Sequence, residues 1–188
     1  MYIRHFRGAL SAADCASLIR RGQALGFEPA AVDYYGEKRA LTHIRNNDRA
    51  EFGDPELAAI LEKRLRAAAG QDFPLDFEGA PFVRLGARFR LYRYVPGQYF
   101  KPHKDGSSED IDCASRITAL FYLNDADGGE TVLMQHGKSQ PQSHVEVAPR
   151  AGDALLFEHS IWHEGRPVHS GEKLVARTDL FFASTPRA

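Results

Sequence analysis

From about residue 80 onward the sequence breaks into short apolar and β-branched runs separated by turn residues. This rhythm restricts the fold more than any other feature, because many short strands at close spacing must close into a sandwich or barrel. The runs 88–95, 116–123, 131–135, 144–147, 154–158 and 174–182 are predicted strands. Pro96-Gly97, Asp127-Gly128-Gly129 and Arg150-Ala151-Gly152-Asp153 supply turn chemistry between them. Two helices are predicted ahead of this region. Ser11 caps the first, with Asp14 in its first turn, Leu18, Ile19 and Leu25 on its apolar face, and Gly26 at its end. The second has Asp54 as cap and Pro55 in the first helical position, with Leu57, Ile60, Leu61 and Leu65 at helical spacing before Gly70. Helices followed by strands give a mainly β fold with flanking α-helices.

At 188 residues the chain suits one domain, with residues 1–80 as helical support and 85–183 as a β core. No internal repeat or low-complexity tract interrupts it. The 24 basic and 25 acidic side chains leave a net charge of -1, which argues against nucleic acid and acidic membranes as partners. Cys15 and Cys113 are too few for a disulfide scaffold. With no apolar run of membrane length and no apolar signal segment after Met1, a soluble, cytoplasmic protein is expected.

The chemistry-bearing residues are His103-Lys104-Asp105, His163 58 residues after the aspartate, and Lys173 ten residues after that. Two imidazoles and a carboxylate hold one face of a ferrous ion and leave the other open to substrates. A lone His-x-Asp or His-x-Glu is weak, since eight histidines give about one such pair by chance. His144-Val145-Glu146 is a second pair and serves as an internal control. Context separates the two. His103 and Asp105 follow a strand and a turn, and several strands intervene before His163, enough chain to travel around a barrel and return. His159 is the rival third ligand, and His163 is preferred for its spacing to Lys173, where a cation can receive an acidic co-substrate.

Several blocks of the sequence resemble the prolyl-4-hydroxylase-like branch of the iron(II)- and 2-oxoglutarate-dependent dioxygenases. They are Tyr94-Val95-Pro96-Gly97, Phe100-Lys101-Pro102-His103-Lys104-Asp105, Phe121-Tyr122-Leu123-Asn124 and Gly128-Gly129-Glu130-Thr131. Gly152-Asp153-Ala154-Leu155-Leu156-Phe157, His163-Glu164-Gly165, Pro167-Val168, Gly171-Glu172-Lys173 and Arg177-Thr178-Asp179 continue them in the family's order. The resemblance implies a double-stranded β-helix (a cupin-like jelly roll) with the metal in its mouth. It implies Fe(II) on His103, Asp105 and His163, 2-oxoglutarate with its distal carboxylate on Lys173, and hydroxyl groups of Tyr94, Tyr122 and Thr131 around that co-substrate. Ascorbate is a candidate additional cofactor. The implied reaction uses dioxygen, converts 2-oxoglutarate to succinate and carbon dioxide, and hydroxylates a peptidyl (prolyl-like) or free amino-acid-like substrate. Related halogenases lack the carboxylate ligand, so Asp105 points to hydroxylation.

Strand alternation puts Arg90 and Tyr92 on the face of Tyr94, and Arg177 and Asp179 on the face of Lys173. This set is either a polar substrate pocket or an internal ion pair of Asp179 with Arg177 or Arg90. The acidic segment from Gly106 to Cys113 is a candidate lid, and Arg45 to Arg49 either faces substrate or is a polar connector. The alternative function is a non-catalytic metal-stabilised β-barrel used for binding or sensing.

Overall fold

A computed structural model describes residues 1–30, 32–34, 37–39, 41–134 and 144–184. The two predicted helices are present as α1 (Ala12–Leu25) and α2 (Pro55–Ala69). Ser11 and Asp14 form a reciprocal capping box, and Asp54 accepts a hydrogen bond from the Leu57 N–H at 2.9 Å. The buried stripe of α2 is Ala58, Leu61, Leu65 and Ala69. Ile60 falls off that stripe and Leu25 lies at the frayed end of α1, so both expected core residues are exposed, each at 51%.

The strands of four or more residues, in chain order, are β1 (Ile3–Phe6), β2 (Asp48–Gly53), β3 (Ala80–Leu85), β4 (Arg88–Tyr94) and β5 (Phe100–His103). They continue as β6 (Cys113–Tyr122), β7 (Thr131–Met134), β8 (His144–Val147), β9 (Ala154–Glu158), β10 (Trp162–Gly165) and β11 (Lys173–Ala183). All six predicted strands occur. Gln135, the last position expected in one of them, lies outside the described residues. The large sheet runs β1-β9-β6-β11-β4-β2, with the short strand Glu28–Pro29 beyond β2 and β3 pairing the far end of β11. The small sheet runs β8-β7-β10-β5. The N-terminal region is therefore more than helical support, since β1 extends one side of the large sheet and β2 the other.

Alternation along the large sheet sorts its side chains into two layers. Ile117, Ala119 and Phe121 of β6, with Leu174 and Ala176 of β11, face the helices and pack with Leu18, Leu61 and Leu65. Leu120, Tyr122, Tyr92, Tyr94 and Val175 face the small sheet and pack with Leu133, Leu155 and Phe157. Burying each large apolar side chain contributes about 1.5–3 kcal/mol, so this double layer is the main source of stability. Two packed sheets of this order make the expected double-stranded β-helix. Among the described residues no helix is long and apolar enough to cross a membrane.

Candidate active site

β5 and β10 are antiparallel neighbours in the small sheet, and their register sets His103 directly opposite His163. Asp105 follows β5 by two residues and turns its carboxylate toward both rings. One Asp105 oxygen lies 3.9 Å from His103 Nε2 and the other 3.6 Å from His163 Nε2. Ligand atoms of the three residues all lie within 4.8 Å of one another. His159, the rival ligand, is outside this group; its Nε2 is 3.4 Å from Asp179. His144 sits beside Glu146 at 3.8 Å, at the small sheet's edge.

The protonation pattern suits a metal. His103 Nδ1 lies 2.8 Å from the Lys101 carbonyl and His163 Nδ1 3.0 Å from the Ile161 carbonyl. A carbonyl only accepts, so each Nδ1 carries the hydrogen and each Nε2 presents its lone pair to the site. Burial, and next the neighbouring His163, pushes His103 down to about 3. Burial likewise lowers His163. Burial would raise Asp105, but Arg177, then His163 and His103, hold its carboxyl well below the usual range. Two neutral imidazoles and an ionised carboxylate are the donor set a hard or borderline divalent cation needs. These residues fit Fe(II).

The three residues of the group are held from behind. Phe100 stacks on the His103 ring at 3.5 Å between centroids, and the Arg45 guanidinium covers the other side of Phe100 at 4.1 Å. Phe157 packs on His163 at 4.5 Å. Thr118 donates its hydroxyl hydrogen to Asp105 Oδ2 at 2.6 Å, and Arg177 donates to Asp105 Oδ1. Arg45, the first residue of the 45–49 segment, is buried next to the site and donates to Asn47 Oδ1 at 2.9 and 3.0 Å.

Lys173 enters the same pocket from the start of β11, opposite Tyr94 on β4. It is 3% exposed, and its ammonium donates to the Gly129 carbonyl at 2.6 Å. Gly129 has φ +70, and a Cβ there would lie 3.0 Å from the lysine chain, so glycine permits the approach. No carboxylate among the described residues pairs with this ammonium. Burial pushes it down to about 8, with Glu130 opposing that shift. Tyr122 hydrogen-bonds Thr131 at 2.8 Å, and burial pushes the Tyr94 and Tyr122 phenols up. Thr131, Tyr94 and Lys173 line the same cavity as the triad.

Of the four candidate substrate residues, Tyr92 and Arg177 line this cavity. Arg177 is occupied by Asp105 and by Asp179, the latter at 3.1 Å, and Arg90 lies 3.5 Å from Asp179. The internal ion pairs allowed by the sequence are therefore both present. The segment 106–113 is tied down by Ser108 N–H to Ser115 Oγ at 2.8 Å and by Asp110 to Arg84 at 2.8 Å. Sequence reasoning missed Thr118, although its place two residues before Leu120 on an alternating strand put it on the inner face. It also missed Phe100 and Phe157 as ring supports, which no local pattern distinguishes from core aromatics.

The two-sheet β-helix thus brings a His-Asp-His triad and a buried lysine together in one mouth. The sequence profile of the 2OG-Fe(II) oxygenase superfamily matches residues 89–178. The chain is 40% identical over 73 residues to probable prolyl 4-hydroxylase 11 of Arabidopsis thaliana, covering 38% of this chain and 25% of that protein. It thus spans only a quarter of that relative's length. Its fold is similar to the viral collagen prolyl hydroxylase of Paramecium Bursaria Chlorella virus-1, solved with 2OG, at a TM-score of 0.66 and 23% identity over 98% of this chain and 97% of that one. It is also similar to a Trichoplax adhaerens prolyl hydroxylase solved with a hypoxia inducible factor peptide fragment, at a TM-score of 0.70 and 17% identity over 95% and 83% of the two chains. The superfamily profile spans 90 of the 188 residues, just under half of the chain.

Proposed function

We propose that the protein is an Fe(II)- and 2-oxoglutarate-dependent dioxygenase that hydroxylates a peptidyl, prolyl-like or free amino-acid-like substrate. The observation that carries this reading is the buried Lys173 ammonium, without a carboxylate partner among the described residues, in the same cavity as three pre-set metal ligands. Fe(II) and 2-oxoglutarate, when bound, supply the oxygen-activating chemistry that yields succinate, carbon dioxide and a hydroxylated carbon. His103, Asp105 and His163 would hold the iron by Nε2, a carboxylate oxygen and Nε2. Lys173 would donate to the distal carboxylate of 2-oxoglutarate, a charge-assisted contact strengthened where water is excluded. Tyr122 gives its hydroxyl hydrogen to Thr131, which frees the Thr131 hydrogen to point into the cavity at the same carboxylate. Phe100 and Phe157 would keep water from the rings and fix their planes.

A peptidyl substrate is supported by the relatives, several of them prolyl hydroxylases, one solved with a peptide. The test is succinate production by the purified protein with Fe(II), 2-oxoglutarate and oxygen, wild type against His103→Ala and Lys173→Ala. Candidate peptides and amino acids are then ranked by how far they stimulate turnover. Loss of turnover in both variants is expected. Absence of both turnover and 2-oxoglutarate binding in the wild type would replace this reading with a metal-stabilised barrel for binding or sensing.

A further inference from the structure

Asp179 lies two residues beyond Arg177 on β11 and contacts none of the three metal-ligand residues, yet it is only 5% exposed. Its Oδ1 accepts from Arg177 Nη2 at 3.1 Å and from Nε at 3.4 Å. The remaining Arg177 nitrogen, Nη1, donates to Asp105 Oδ1. A guanidinium is a rigid planar fork, so gripping one edge aims the other nitrogen. With Thr118 on the second oxygen at 2.6 Å, the Asp105 carboxylate is fixed at both ends.

Charge points the same way as geometry. Arg177 places a permanent positive charge against a site that must accept a divalent cation, and Asp179 is the second anion that offsets it. Arg90 Nη1 at 3.5 Å and His159 Nε2 at 3.4 Å also crowd Asp179. Neither atom has a hydrogen-bond partner among the described residues, so Asp179 is the anion around which three basic side chains gather.

We propose that Asp179 is a positioning residue for the metal centre: by orienting and neutralising Arg177 it aims Asp105 and keeps the site receptive to a divalent cation. The proposal rests on His103, Asp105 and His163 being the metal ligands. Groups one step behind a ligand typically alter metal affinity by about 10–100-fold. Asp179→Asn keeps the shape but leaves Arg177 uncompensated beside the metal, so weakening in that range is expected.

The experiment is Mn(II) binding to the full chain, read by the electron paramagnetic resonance of free ion, with thermal melts as a check on folding. Arg177→Gln, Asp179→Asn and the double variant are compared with wild type and His103→Ala. The double variant carries no uncompensated guanidinium at this position, so it is expected to bind Mn(II) more tightly than Asp179→Asn alone. Should Asp179→Asn not fold, the Arg177→Gln background still decides: adding Asp179→Asn there is expected to cost less than about threefold, since its partner is already gone. Wild-type affinity in Asp179→Asn, or losses that simply multiply in the double variant, would overturn the proposal. If His103→Ala binds Mn(II) like wild type, the ligand assignment itself is wrong and the proposal falls with it.

Discussion

Lys173→Met separates a lysine that awaits an anion from one that holds the fold together. Burial brings the Lys173 ammonium down to about 8 from the ordinary 10.5. That displacement corresponds to about 3 kcal/mol of disfavour for the charged form in the co-substrate-free protein. Methionine has a similar length and no charge, so it relieves this cost. Against that, the Gly129 carbonyl loses its donor, which costs about 1–3 kcal/mol. The two effects nearly cancel, and the melting temperature without co-substrate should shift by no more than a few degrees, at about 2–4 °C per kcal/mol for a chain of this size. Co-substrate binding should behave quite differently. A hydrogen bond to a charged group is worth about 1.5–3 kcal/mol, so the KM for 2-oxoglutarate should rise about 10–150-fold.

The same lysine sets a pH dependence. The protonated fraction falls from about nine-tenths at pH 7 to about one-tenth at pH 9, so the wild-type KM for 2-oxoglutarate should rise about tenfold over that span. Lys173→Met should show no such rise. Because the folded value lies below the unfolded one, the unfolded chain binds the extra proton between pH 8 and 10.5. The co-substrate-free protein therefore gains stability as pH climbs through that window, and carries the full burial penalty below it. The assays are succinate formation against 2-oxoglutarate concentration at several pH values, and thermal melts of the apo protein. An unchanged KM in Lys173→Met would refute the reasoning. So would a fall in melting temperature beyond about 10 °C, which would make the Gly129 contact the lysine's main role.

Removing bound metal with a chelator should lower the melting temperature, and Mn(II) should restore it in the wild type but not in His103→Ala; equal recovery in both would place the metal elsewhere. Tyr122→Phe removes the hydroxyl that satisfies Thr131, so the KM for 2-oxoglutarate should rise about 2–12-fold while metal affinity stays constant. A change in metal affinity there would mean that Tyr122 supports the triad instead. Gly152→Ala should destabilise the fold by about 1–3 kcal/mol in urea titration, because φ is +86 and the new Cβ would meet the Leu10 carbonyl at 2.5 Å. Wild-type stability would show that the Gly8–Leu10 segment yields at no cost.

The strands legible in the sequence are those with two buried faces or a clean alternation, such as Cys113–Tyr122 and Lys173–Ala183. Those that escaped are short or charged for a structural reason. Ile3–Phe6 and Asp48–Gly53 lie at the flanks of the large sheet, and much of their length faces solvent, so their composition resembles loop. Phe100–His103 and Trp162–Gly165 carry His103 and His163, and the polar residues there erase the β pattern. The triad was legible from its context of strand, turn and later His163, since His144-Val145-Glu146 offers a second pair of the same residue types. Arg177 was legible as an inward charge with Asp179 as a partner, but its pairing with Asp105 was not, because a contact across 72 residues leaves no mark on local spacing.

The facing of His103 and His163 across one strand pair also determines when in the life of the chain the site can exist. The two ligands arrive from strands separated by most of the β core, and β10 comes late in the sequence. A growing chain lacks one of the two imidazoles until residue 163 has been made and β10 has paired with β5. On the ligand assignment proposed above, metal capture would follow completed strand order, and misregistered chains would be left without metal.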